Sequence, residues 1–273
     1  MLEDARLRAL AQRLTAVPGV IGVTLGGSRA RGDHGPDSDV DLGLYYRPPL
    51  DVAGLRELAR AVTGGDVEVT DPGAWGSWVD GGAWLRIDGT AVDWLYRDLD
   101  RVHASWQDAR AGRFGFHFQV GHPLGVPDFA YAGELALGVV LADPSGELAA
   151  LRREAVVSPP ALRAAVVDRL WEAGFSLDNA RTAVPRADVT YVAGCLFRAV
   201  ELCAHAVHAH AGRWLVDEKG AVASAGRLAT APEDCTRRAQ EAMARLGGDR
   251  AQPQAAVDVV STLLDEVRLR TSP

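Results

Sequence analysis

Hydrophobic residues first recur at helical spacing: Leu2, Leu7, Leu10, Ala11 and Leu14 form one face of residues 2–16, and Pro18-Gly19 closes the run. VIGVTLGG follows, an apolar, β-branched stretch of strand length stopped by two glycines. A loop rich in Gly, Asp and Pro (residues 31–38) leads into DVDLGLYY, where Asp39 and Asp41 alternate with Val40 and Leu42. A period of two sends both carboxylates out of the same strand face. Residues 51–62 read as a helix and DVEVT (66–70) as a strand. AWLRI-DG-TAVDWLY reads as a hairpin turned at Asp88-Gly89, with Asp93 the only acid in its second arm. Residues 97–111 read as helix and 113–128 as irregular. Thereafter helix follows helix, at about 130–142, 145–156, 159–183, 188–211, 232–246 and 253–270.

The expected fold class is therefore α+β: an N-terminal mixed sheet with flanking helices, followed by a C-terminal helical bundle domain. The boundary falls in the irregular stretch, giving domains 1–120 and 121–273. The 273 residues, 48% hydrophobic and 24% charged, suffice for such a core and exclude disordered and fibrous classes. No run of 18 apolar residues occurs, mean hydropathy is −0.03, and MLEDARLRALAQRL lacks a signal-peptide core, so no membrane contact and a cytoplasmic location are expected. Cys195, Cys203 and Cys235 have no paired spacing and are expected to be free thiols.

Charge sharpens the picture. The net charge of −7 is the wrong sign for gripping an extended nucleic acid. The excess is local: residues 1–149 hold 21 acids against 13 bases, and residues 150–273 hold 15 against 16. Such an N-terminal half could hold metal ions or attract a cationic substrate. The bases are 28 Arg and one Lys, Lys219.

The chemistry concentrates in LGGSRARGDHGPDSDVDLGLYY. Glycines before a helix start let backbone N–H groups approach an anion, and Ser28 adds a hydroxyl. Asp39 and Asp41 leave the next strand side by side, and Asp93 can join them from a third. Three converging carboxylates ionise together at low cost only when cations lie between them, and oxygen-only ligands suit Mg²⁺ shared with substrate phosphates. A phosphate cradle facing such a site is equipment for phosphoryl or nucleotidyl transfer.

GGSRARGDHGPDSDVDL followed by VDWLY resembles the nucleotidyltransferase superfamily of the DNA polymerase β type, over about residues 20–97. The helical C-terminal half is similar to its small-molecule branch, the aminoglycoside and lincosamide nucleotidyltransferases, which implies an antibiotic-resistance role. The resemblance implies that Gly27 and Ser28 hold the β and γ phosphates of ATP, the co-substrate, and that Asp39 and Asp41 bind two Mg²⁺ ions. It implies that Asp93 binds the catalytic metal or takes the acceptor proton; in several relatives a Glu in the helical part is the base, and here the candidate is Glu134. AGRWLVDEKGAV resembles the piece that brings a Lys, here Lys219, to the triphosphate. Arg31 is placed to contact phosphate or to pair with Asp33 or Asp37. The implied reaction moves AMP onto a hydroxyl of a small molecule, in a cleft between sheet and helices; the oligomeric state is left open.

Other readings stand beside this one. The chain could be an antitoxin-like or regulatory enzyme that adds AMP to a protein. Arg198 and His205 have the R-x6-H spacing of HEPN-type ribonucleases, a second alternative. Cys203, His205, His208 and His210 spread over more than one helix face, which disfavours zinc. Trp84 and Trp94 are expected to face the core, and core packing is favoured over a substrate pocket for Trp75, Trp78, Trp106 and Trp214.

Overall fold

A computed structural model describes residues 4–32, 34–35, 38–247 and 249–272. The chain divides into two compact units: Met1–Asp108 with Gly115–Val157, and Ala109–Phe114 with Ser158–Pro273. The fold is α+β, a mixed sheet with flanking helices and then a helical region. The units divide later in the chain than the 120/121 boundary read from the sequence, because residues 139–157 supply a sheet strand and a helix to the first unit.

The first unit begins with α1 (Asp4–Thr15), β1 (Val20–Leu25), the short α2 (Gly27–Arg31), β2 (Val40–Tyr46) and α3 (Val52–Thr63). The hairpin β3 (Gly82–Ile87) and β4 (Thr90–Asp98) follows, with Asp88 and Gly89 both at positive φ (49° and 79°), as a type I′ turn requires. Then come α4 (Leu99–Arg110), β5 (Phe116–Gln119), β6 (His122–Pro127), α5 (Ala130–Leu137), β7 (Val139–Ala142) and α6 (Glu147–Ala155). Five strands form one sheet in the order β3-β4-β2-β1-β7, with β2 and β4 parallel and the other neighbours antiparallel.

Period two sorts the sheet's faces. Val40, Leu42 and Leu44 on β2, and Val92, Trp94 and Tyr96 on β4, are buried in one core with Leu7, Leu10 and Leu14 of α1 and Leu55 and Leu58 of α3. Asp41, Gly43 and Tyr45 alternate with the first set, as Asp93, Leu95 and Arg97 do with the second, so they occupy the opposite face. Fully burying an aliphatic side chain is worth about 1.5–3 kcal/mol, so this core fixes the register and hence which side chains reach the other face.

Three expected elements differ. DVEVT (66–70) forms no strand: of its residues only Thr70 bonds to the sheet, its N–H donating to the Gly82 carbonyl at 3.0 Å. The irregular stretch contains the two-stranded β5-β6 sheet. The helix read over 130–142 stops at Leu137, because Gly138 is extended (φ −71°, ψ 161°) and the β-branched Val139-Val140 pair with the open edge of β1.

The second unit contains α7 (Pro160–Asp168), α8 (Leu170–Ala183), a 3₁₀ turn (Val184–Arg186), α9 (Val189–His210), α10 (Ala221–Ala225), α11 (Cys235–Ala244) and α12 (Ala251–Thr271). The single helix read over 159–183 is two, divided at Arg169. Helix α9 is apolar on nearly every side, and α7, α8, α10 and α12 pack around it. Among the described residues α9 alone has the length and composition to cross a membrane, which the sequence reading did not allow; 67% of that window is buried within the fold, as in a core helix.

Candidate active site

The acid face is built by register. Across the parallel β2–β4 pair Asp41 lies opposite Asp93, and across β3–β4 Asp93 lies opposite Trp84. Asp39 immediately precedes β2 and is exposed. The three acids act on one another: burial first, then the charges of Asp41 and Asp39, push the Asp93 carboxyl up from 3.8 to about 6. Relief of that repulsion by a cation is what an oxygen-only divalent-metal site provides.

Gly27 closes the other side. Its φ is +60°, and a β-carbon there would overlap Oδ2 of Asp41, so backbone alone fits against the carboxylate. The Gly26 N–H donates to the Asp41 carbonyl at 2.8 Å, fastening this turn to β2. Gly26, not Ser28, is the N-cap of α2, which leaves Ser28 as a half-buried residue of its first turn.

Arg29, which the sequence reading passed over, clamps this loop: its Nε donates to the Asp39 carbonyl at 3.1 Å and its Nη2 to that of Ser38 at 2.9 Å. Its position in GSRAR was the available signal, but side chains two residues apart on a helix differ in direction by about 200°, and sequence does not say which of Arg29 and Arg31 turns inward. Arg31 is exposed at the end of α2 and engaged in interactions of its own; Asp33 and Asp37, its expected partners, lie outside the described residues.

Glu134 is placed elsewhere. Both its oxygens accept from Arg97, at 2.5 Å from Nε and 3.0 Å from Nη2. Arg97 is 8% exposed and follows Asp93 by four strand residues, about 13 Å along β4. Tyr131 of α5 stacks against the same guanidinium, 5.6 Å from ring centroid to Cζ. Glu134 thus compensates a buried cation at the end of the face covered by α5, and it is not among the charges that act on Asp93.

Lys219 belongs to the second unit, where it is exposed and its backbone N–H donates to Oδ1 of Asp217 at 3.0 Å. The other motif residues of that unit have structural partners. Arg198 is ion-paired with Glu172, and His205 is 3% exposed, its imidazole pushed down to about 3 by burial, so the pair makes no exposed nuclease site. His208 engages the Ala204 carbonyl and Ser224 Oγ with its two ring nitrogens, leaving neither for zinc. Trp94, Trp106 and Trp214 are buried, whereas Trp84 is 64% exposed on the acid face and stacks on Trp75 at 4.2 Å, against the expectation of a core role.

A glycine turn thus stands against the Asp41 carboxylate, with Asp93 opposite it in register and Asp39 close enough to act on Asp93. Residues 7–69 match the family model of the nucleotidyltransferase domain, a stretch that includes β1, the Gly26-Gly27-Ser28 turn, Asp39 and Asp41. The chain carries a nucleotidyltransferase domain and is a transferase. No curated protein matches it significantly. The crystal structure of a nucleotidyltransferase-like protein from Exiguobacterium sibiricum 255-15 is similar at 12% identity and a TM-score of 0.47, over 96% of this chain and 74% of that one.

Proposed function

We propose that this protein transfers AMP from ATP to a hydroxyl of a small molecule, at the face carrying Asp39, Asp41 and Asp93. The observation that supports this most is the Asp41–Asp93 pair in register beside Gly27, where a β-carbon would strike the carboxylate. The residues fit divalent metal: oxygen donors alone, mutually repelling, one with its proton affinity raised. Asp39, Asp41 and Asp93 would hold two Mg²⁺ ions, which when bound supply neutralisation of the charge on the α-phosphate and the departing pyrophosphate.

The chain's own groups do the rest. Backbone N–H groups at Gly27 and the Ser28 hydroxyl hold the β and γ phosphates, and Arg31 adds positive charge to the triphosphate. An Asp93 oxygen not taken by metal accepts the acceptor hydroxyl's proton as that hydroxyl's oxygen attacks the α-phosphorus and the bond to pyrophosphate breaks. The base role goes to Asp93 rather than Glu134, whose oxygens are taken by Arg97.

The test is incubation with each labelled nucleoside triphosphate, Mg²⁺ and panels of aminoglycosides, lincosamides and other hydroxylated metabolites. Label from ATP should enter one acceptor class, and Asp41→Asn should abolish it. Label transfer surviving in Asp41→Asn would refute the assignment, as would release of AMP with no acceptor labelled in any panel.

A further inference from the structure

The acid face continues past Asp93 onto β3, the last strand of the sheet on that side. Ala83, Leu85 and Ile87 of β3 are buried in the core, so Gly82, Trp84 and Arg86, which alternate with them, occupy the face that carries the acids. Arg86 is committed to its own turn, its Nη1 donating to the Gly89 carbonyl at 2.7 Å. Trp84 stands directly opposite Asp93, where paired β-carbons lie about 4.5–5.5 Å apart, and its indole is exposed.

A built support holds that indole. Trp75 stacks flat against one face of it, with 4.2 Å between centroids and 14° between planes. Gly82 gives the Trp75 ring its seat: a β-carbon there would lie 3.2 Å from Cζ3. Trp75 is pinned through its backbone, its N–H donating to the Asp80 carbonyl at 2.9 Å and its carbonyl accepting from Gln119 Nε2 at 2.6 Å. Gln119 is itself buried, and its Oε1 accepts from the Trp78 N–H. Two rings fixed in this way lose little freedom when a third is laid on the open face of Trp84, which is how preorganisation raises affinity.

Position decides what that third ring belongs to. Across the sheet the order is β1, β2, β4, β3, so a line from the Gly27 turn passes Asp41, then Asp93, then Trp84, at about 4.8 Å per strand. In phosphoryl transfer the attacking and leaving oxygens lie in line on opposite sides of phosphorus. With pyrophosphate leaving toward Gly27 and Ser28, the acceptor hydroxyl arrives from the side of Trp84. We infer that Trp84, braced by Trp75, is the acceptor-positioning residue: the flat face of a ring in the acceptor stacks on the indole and brings its hydroxyl to Asp93. This role rests on the transfer reading above and narrows the acceptor to alcohols built on a ring.

The test uses the full chain with Mg²⁺ and α,β-methylene-ATP, which cannot lose pyrophosphate, so that binding is read apart from transfer. Calorimetric titration with aminoglycosides, lincosamides and hydroxylated aromatic metabolites should find a ring-bearing ligand, and the open-chain polyol sorbitol should not bind. Trp84→Ala should weaken that binding at least tenfold and Trp84→Phe less than threefold, with affinity for α,β-methylene-ATP within twofold of wild type and thermal unfolding confirming the fold. Should Trp84→Ala not fold, Trp84→Leu, which keeps apolar bulk without a flat face, takes its place. With ATP, the acceptor KM of Trp84→Ala should rise at least tenfold while the ATP KM holds. Ring ligands bound equally by wild type and Trp84→Ala, none bound by the wild type, or a tenfold loss of nucleotide affinity, which would make Trp84 the platform of the adenine, would each overturn the inference. Trp84-dependent binding with no label transferred from ATP would sink the transfer reading and leave the platform standing; transfer with an unchanged acceptor KM in Trp84→Ala would do the reverse.

Discussion

Removing the Glu134 carboxylate separates a structural role from a chemical one. In Glu134→Gln the guanidinium of Arg97, 8% exposed, loses the counter-charge that accepts its Nε and Nη2 protons. Breaking a buried pair from one side costs about 3–5 kcal/mol, and since 35% of the Glu134 side chain is exposed we discount this to about 2–4 kcal/mol. At about 2–4 °C per kcal/mol for a unit of this size, the unfolding midpoint should fall by about 4–16 °C. Urea unfolding followed by tryptophan fluorescence reports the right unit, because Trp75, Trp78, Trp84, Trp94 and Trp106 lie in it and only Trp171 and Trp214 do not. Replacing both partners, Arg97→Met with Glu134→Leu, should recover most of the loss, since the double change leaves no uncompensated charge. A Glu134→Gln chain that keeps wild-type stability while losing transfer about 10²–10⁴-fold would refute this reasoning and return Glu134 to the role of base.

The remaining predictions concern the acid face. Gly27→Ala places a β-carbon on Asp41 Oδ2 at a φ of +60°; it should cost about 1–2 kcal/mol in urea unfolding and weaken Mn²⁺ binding at the sheet about tenfold or more, and normal binding would refute the cradle. Arg29→Ala frees the carbonyls of Ser38 and Asp39 and should lower metal affinity about 10–100-fold while α1 and α3 stay folded, as calorimetry and circular dichroism would show. Asp93 is held near 6 against an ordinary 3.8, so the metal-free native state binds that proton more tightly than the unfolded chain does. Its stabilising contribution is complete below 3.8 and is lost as pH rises through about 6; in chelator, Asp93→Asn should remove that part of the pH dependence of the urea midpoint, and an unchanged profile would count against the acid cluster.

Sequence alone determined whatever depends on local periodicity and turn chemistry. The period-two placement of Asp39 and Asp41, the Asp88-Gly89 hairpin, the Gly-Ser turn and the long helix over 189–210 were all legible, because each is specified by residues near one another in the chain. Tertiary structure decided the pairings. That Asp93 stands opposite Asp41 follows from β2 and β4 lying parallel in one register, which burial of Leu42 and Trp94 on the other face enforces. Val139–Ala142 extended a helical pattern until the free edge of β1 made it a strand, whereas 66–70 alternated correctly yet reaches the sheet only through Thr70. Glu134 read as a possible base because nothing in the sequence around it names Arg97, 37 residues earlier, as its partner. Charge compensation of a buried guanidinium is a long-range electrostatic requirement, and only the folded chain brings the two ions together.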